Sequence, residues 1–174
     1  MCENWWGEPV DPPKFAFASI VEQSTRILLL GSLPGEASLA RGQYYAHPQN
    51  QFWRLVGDTL AQPEFSTMPY DDRLEILRAA RIGLWDTVRS AQRRGSLDSA
   101  IRDPVLSPLT EFTAGLPELR AVGFNGAKAA AIGRKQLDGS AFSLIDLPSS
   151  SPAFAGMPFG QKAARWTKLR EFLP

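Results

Sequence analysis

Two short stretches hold most of the side chains with chemical potential. Ile27-Leu28-Leu29-Leu30 runs straight into Gly31-Ser32-Leu33-Pro34-Gly35, and Tyr44-Tyr45-Ala46-His47-Pro48-Gln49-Asn50 follows shortly after. A serine hydroxyl, backbone amides freed by a Gly/Pro turn, an aromatic ring, an imidazole and a carboxamide can together bind an anion or a flat heterocycle and orient a water. Farther along, Asp86, Asn125 and the run Ser149-Ser150-Ser151 add a carboxylate, a second carboxamide and three hydroxyls. Asp86 could accept a hydrogen bond from an imino N–H or cap the segment after it. Asn125, just before Gly126, could read the edge of a ligand or cap a helix. The three serines, with Ser32 and Ser38, suit a phosphodiester; between Pro148 and Pro152 they could equally form a plain surface turn.

Each of these groups sits where an apolar run stops. Strands are expected at 26–31, 82–85, 119–124 and 142–147, and helices at 50–60, 71–81, 126–136 and 161–172, the first of these from the spacing of Phe52, Leu55, Val56 and Leu60. Strands alternating with helices argue for an α/β fold, a three-layer α/β/α sandwich around a four-stranded, mostly parallel sheet. In such a sheet the strand ends converge along one edge, so the loops after all four strands could line one pocket. With 174 residues, 44% hydrophobic and 21% charged, the whole of 1–174 is expected to form a single domain. Residues 1–25, rich in Pro and Trp, read as an extended lead-in. Trp53 and Trp85 are expected in the core, with Tyr44.

Composition removes several function classes. A formal net charge of +1 gives no global attraction for nucleic acid. The local clusters Arg89, Arg93, Arg94 and Lys162, Arg165, Lys168, Arg170 read first as solvated helix faces. One cysteine, Cys2, and one histidine, His47, leave no disulfide framework and no Cys- or His-pair metal cage, so no metal and no cofactor is expected. The Gly31–Gly35 loop matches neither GxxxxGK[ST] nor GxGxxG. No apolar run approaches the ~18–20 residues that span a bilayer, so a cytoplasmic monomer without a membrane partner is expected.

Taken together, GSLPG, QYYAHPQNQFW, GLWDTVR, FNG and LPSSSPA resemble the motif set of the uracil-DNA glycosylase superfamily, and within it the hypoxanthine-DNA glycosylases. The resemblance runs over 27–168. It implies the same α/β/α fold, DNA as the partner, single- or double-stranded, and hydrolysis of the N-glycosidic bond of a flipped deaminated base, hypoxanthine or uracil. It implies roles as well. Asn50 falls where the hypoxanthine family carries its catalytic asparagine and would hold water through its amide oxygen, with Ser32 and Leu33 in the catalytic loop. Gly31, Tyr45, His47, Asp86 and Asn125 would form the base pocket, Tyr45 as the stacking platform. Ser149, Ser150, Ser151, Ser38 and Phe154 would meet DNA, with Phe154 or Met157 filling the gap left by the flipped base. Two departures bear on catalysis: Leu33 stands where mismatch-specific relatives have a water-holding asparagine, and Leu147 where other members have a histidine. His47 could substitute for that histidine or brace its loop. A catalytically weak damage sensor of the same fold is the alternative, and a hydrolase of free nucleosides or nucleotides a third reading.

Overall fold

The central strand, β2 (Ile27–Gly31), is buried at every position. A strand apolar on both faces must be covered on both, and this one divides its side chains by alternation. Ile27 and Leu29 point to a core with Phe52, Leu55, Leu77 and Trp166; Leu28 and Leu30 point to a second core with Leu109, Phe124, Ala129 and Leu137. The computed structural model describes residues 11–174. It has the three layers expected, and all four strands of its main sheet are parallel, in the order β3-β2-β6-β7. The partners of β2 are β3 (Ile82–Asp86) and β6 (Ala121–Asn125), and β6 in turn pairs with β7 (Ser143–Leu147).

One face is covered by α2 (Phe52–Thr59), α3 (Tyr70–Ala79) and α6 (Phe159–Trp166), the other by α4 (Leu109–Ala114) and α5 (Ala127–Leu137). Helix α5 lies directly on the Phe124 ring: a β-carbon at Gly133 would come within 2.1 Å of it. Gly133→Ala should therefore lower stability by about 1–3 kcal/mol, despite alanine's better helix propensity. A wild-type urea midpoint would show that the ring moves aside freely.

Several segments differ from their sequence reading. A short helix α1 (Glu36–Arg41) follows the Gly31–Gly35 loop, and α4 was not expected at all. The last helix ends at Trp166 and tightens into a 3-10 turn over Thr167–Phe172. Its basic residues are not uniformly solvated: Lys162 is buried with its ammonium on the Phe154 carbonyl, and Arg170 grips the Thr59 and Asp58 carbonyls. Within the lead-in, Ile20 bridges Leu84 of β3, while β1 (Lys14–Phe15) joins a second, antiparallel sheet, β1-β4-β5. Trp5, Trp6 and Pro9 lie outside the described residues. Strands β4 (Val88–Gln92) and β5 (Arg102–Leu106) form the rest of that sheet. Strand β5 is exposed along its whole length and carries Pro104, so it lacks the alternation that marks a strand. Among the described residues no helix is long and apolar enough to cross a membrane.

Candidate active site

The four parallel strands deliver Gly31, Asp86, Asn125 and, just past β7, Ser149 to one edge. A cavity of about 410 Å³ opens there, within the size range of small-molecule sites. Ser32, Ser38, Tyr45, His47, Asn50, Ser151 and Phe154 also border it. The structure thus brings the sequence candidates to one cleft, but not every side chain faces it.

The Gly31–Gly35 loop has its carbonyls tied away. Gly31 O and Ser32 O accept from the Thr87 and Val88 amides at 2.9 and 3.0 Å, so the start of β4 continues the sheet alongside the loop. Leu33 O and Pro34 O both accept from the Arg93 guanidinium. With the carbonyls engaged, the Ser32, Leu33 and Gly35 amides have no acceptor among the described residues. An unpaired row of N–H groups at a strand end is a site for an oxyanion or a carbonyl edge. Leu33 contributes only this amide. Its side chain is buried with Val88, Ala91 and Ile101, which corrects its expected place in the catalytic chemistry.

Asp86 lies on the floor of the cleft, 4% exposed, and its Oδ2 has no hydrogen-bond partner among the described residues. It caps nothing. Burial, with the charge of Asp98 adding and that of Arg93 opposing, pushes its carboxyl up to about 7. Its Oδ1 and the Tyr45 hydroxyl crowd the bare α-carbon of Gly31: a β-carbon there would stand 2.7 and 2.9 Å from them. The buried Tyr45 hydroxyl likewise makes no hydrogen bond of normal geometry among the described residues, with the Asn125 side chain nearby, and burial followed by the Asp86 charge holds it protonated. Its ring stacks on Phe52 at 3.7 Å between centroids and 11° between planes, which leaves the opposite face for a ligand. Tyr45 has φ 52°, uncommon for a non-glycine, and the Trp53 indole N–H secures it by donating to the Tyr45 carbonyl at 3.2 Å. Trp53 and Tyr44 are core residues, as expected.

Other candidates are bracing groups. Asn125 and Ser150 form a reciprocal pair: the Asn125 Nδ2 donates to Ser150 Oγ at 2.8 Å, and the Ser150 amide donates to Asn125 Oδ1 at 2.9 Å. Asn125 therefore clasps the serine loop rather than capping α5. Ser150 is fully buried, which takes its hydroxyl out of reach of a phosphate. Ser38 is also buried and accepts from the Ala46 amide, so it ties α1 to the His47 loop instead of facing DNA. Gly126, at φ 99°, lets the serine loop pass over the start of α5. The Ser149 and Ser151 hydroxyls accept from amides two residues on, leaving their protons free to donate. His47 Nδ1 accepts from the Gln49 amide, so in the neutral ring Nε2 carries the proton. Asn50 Oδ1 accepts from the Phe52 amide at 2.9 Å. Its first lone pair caps α2, against the expectation of an oxygen reserved for water, and the Nδ2 donors remain.

Five cleft residues escaped the sequence reading, Glu36 and Ala37 at the start of α1 and three from a distant connection. Ser96, Leu97 and Asp98 come from the connection between β4 and β5. Asp98 accepts from the Ser32 hydroxyl at 2.5 Å, and Ser96 Oγ accepts from the Glu36 amide. In Arg-Arg-Gly-Ser-Leu-Asp-Ser these look like turn residues, and nothing local marks them. Arg93 is buried, its guanidinium donating also to Gly95 O, where a solvated helix face was the first reading.

Relatives bear on this geometry. A protein of Methanosarcina acetivorans named hypoxanthine DNA glycosylase is 39% identical over 140 residues, spanning 80% of this chain and 87% of its own. One of Methanosarcina barkeri with the same name is 39% identical over 116 residues, spanning 67% and 73%. A solution NMR structure from Methanosarcina acetivorans, provisionally described as a uracil DNA glycosylase, superposes with a TM-score of 0.82 at 35% identity. It covers 92% of this chain and 99% of that one. The family model of the uracil DNA glycosylase superfamily matches residues 18–171. With its parallel sheet, its amide-lined loop and that match over most of its length, this chain belongs to the uracil DNA glycosylase superfamily.

Proposed function

We propose that this protein is a monofunctional DNA glycosylase that hydrolyses the N-glycosidic bond of a deaminated base, hypoxanthine first and uracil second, flipped out of DNA into the cleft. The observation that carries the reading is the unpartnered Asp86 carboxyl at the base of an open cleft lined by aromatic rings and backbone amides. Hypoxanthine and uracil each present an imino N–H beside a carbonyl, which a carboxyl can engage; the names of the curated relatives put hypoxanthine first. The Tyr45 face stacks on the base, and the Ser32 and Leu33 amides take up charge on the departing lactam. Asn50 orients the attacking water through its remaining lone pair or its Nδ2 donors. Ser149 and Ser151 hold the backbone, and Phe154, 41% exposed at the rim, fills the vacated stack.

Labelled duplexes with one inosine or one uracil test this reading. Alkali-cleavable sites should appear on the inosine strand, with no break before alkali. Tight binding without cleavage would favour the damage-sensing alternative, for which the burial of Leu33 and Leu147 in cores is the argument. Asp86→Leu should weaken binding of inosine-containing DNA by about 5- to 150-fold, the cost of a desolvated, unpaired imino group, whereas Asp86→Asn, which keeps an acceptor of the same shape, should bind more nearly as wild type. An Asp86→Leu variant as active as wild type would remove Asp86 from base recognition.

A further inference from the structure

Hydrolysis of an N-glycosidic bond leaves a water that must lose a proton and a sugar cation that needs a negative neighbour. Apart from Asp86, the groups already assigned to the cleft supply neither. An asparagine cannot take a proton, and Asn50 spends one lone pair on α2. In the tautomer that accepts from Gln49, the outer nitrogen of His47 is a donor. Leu33 faces a core.

Three carboxylates border the cleft: Glu36, Asp86 and Asp98. Glu36 is exposed and paired with Lys14 at 3.1 Å. Asp86 and Asp98 stand in contrasting surroundings, the first deeply buried and unpartnered, the second half-buried and held by the Ser32 hydroxyl. Two carboxyl groups so differently housed in one site divide into an acid and a base. The mount of Asp98 is firm. Its loop is pinned by Lys14 Nζ and Arg93 Nε on the Gly95 carbonyl, at 2.7 and 3.1 Å, by Ser96 on the Glu36 amide, and by the buried Ile101.

We propose that Asp98 is the catalytic base, with Asp86 as its acid partner. The proposal rests on the glycosylase reading above. As the bond between C1′ and the base nitrogen breaks, its electron pair leaves with the base, and the Asp98 carboxylate faces the cation that forms. Water oxygen bonds to C1′; one water proton passes to Asp98. The lactam anion takes its proton from the Asp86 carboxyl, and exchange with solvent restores both groups. The acid is supplied from β3 of the main sheet, the base from the antiparallel sheet.

Asp98→Asn keeps the shape and an acceptor for Ser32, so it isolates the charge. On inosine-containing DNA it should lose at least ~100-fold in single-turnover rate, with binding of abasic DNA and melting temperature close to wild type. A second signature separates chemistry from mounting. Asp86 faces the charges of Asp98 and Arg93 and the hydroxyls of Tyr44 and Tyr45. Activity that needs its proton falls as pH rises through about 7, and without the Asp98 charge this limb should move to lower pH. Asp98→Ala should regain rate when formate is added. Wild type inactive on inosine and uracil DNA alike would sink the glycosylase reading itself. Active wild type with Asp98→Asn within about 3-fold of it would overturn the base role alone. So would a loss matched by a fall in melting temperature, with no formate rescue and no movement of the limb, or a Glu36→Gln variant that carries the loss instead.

Discussion

Gly31→Ala is expected to abolish most activity while leaving the protein folded. The added carbon would press on Asp86 Oδ1 and on the Tyr45 hydroxyl at distances that real contacts do not reach. Neither neighbour has an easy retreat, because Asp86 is buried at the end of β3 and Tyr45 is stacked on Phe52 and held at its carbonyl by Trp53. The two groups proposed to read the base would move together, and a displacement near 1 Å at such groups costs about 100-fold in rate. The backbone of Gly31 needs no positive φ, so stability should fall by no more than about 1–3 kcal/mol, the range for an overpacked site. Single-turnover cleavage of inosine DNA beside a thermal melt decides it. Full activity in the alanine variant would mean that neither side chain is used where it stands.

Arg93→Met should produce the largest combined loss of stability and function. Two buried carbonyls, of Leu33 and Pro34, would lose a charged donor, and hydrogen bonds to charged groups contribute about 1.5–3 kcal/mol each. A loss of about 3 kcal/mol is expected, together with a disordered amide row. The deficit should depend on pH. Asp86 sits above the ordinary carboxylate range, so its contribution to stability is fullest in acid, below its unfolded value, and is lost as pH rises through about 7. Arg93 opposes that rise; without it the folded value climbs higher and the loss extends further. Urea midpoints at pH 5 and pH 8 should therefore show the larger deficit at pH 8. Equal deficits would show that the guanidinium acts on the loop alone.

What could be read from the chain depended on the range of the signal. The buried runs around Leu28, Leu84 and Val122 mark strands because a strand covered on both faces is a local pattern, the edge strand around Leu144 shows as a shorter apolar run, and the residues at their ends follow from topology. The direction of a side chain beside a strand end is not local. Ser38, Ser149, Ser150 and Ser151 are one residue type in similar loops, yet two are buried braces and two face the cleft, as decided by an Ala46 amide and by Asn125. Asp98 was invisible for a related reason. Its flanking strands are short and charged, the second of them exposed throughout, and only their pairing with the first loop brings it to Ser32.

That pairing also fixes how the site would fail on warming. Because Thr87, Val88 and Arg93 carry the carbonyls of the Gly31–Gly35 loop, any excursion that peels β4 away removes the loop's support while the main sheet stays shut. Small exposed sheets open locally at lower free energy than buried parallel ones. The working lifetime of the cleft is then set by the opening equilibrium of its peripheral sheet. The Thr87 and Val88 amides, buried but dependent on that sheet, would exchange with solvent deuterium ahead of those in β2 and β6, and by a subglobal route that urea barely accelerates.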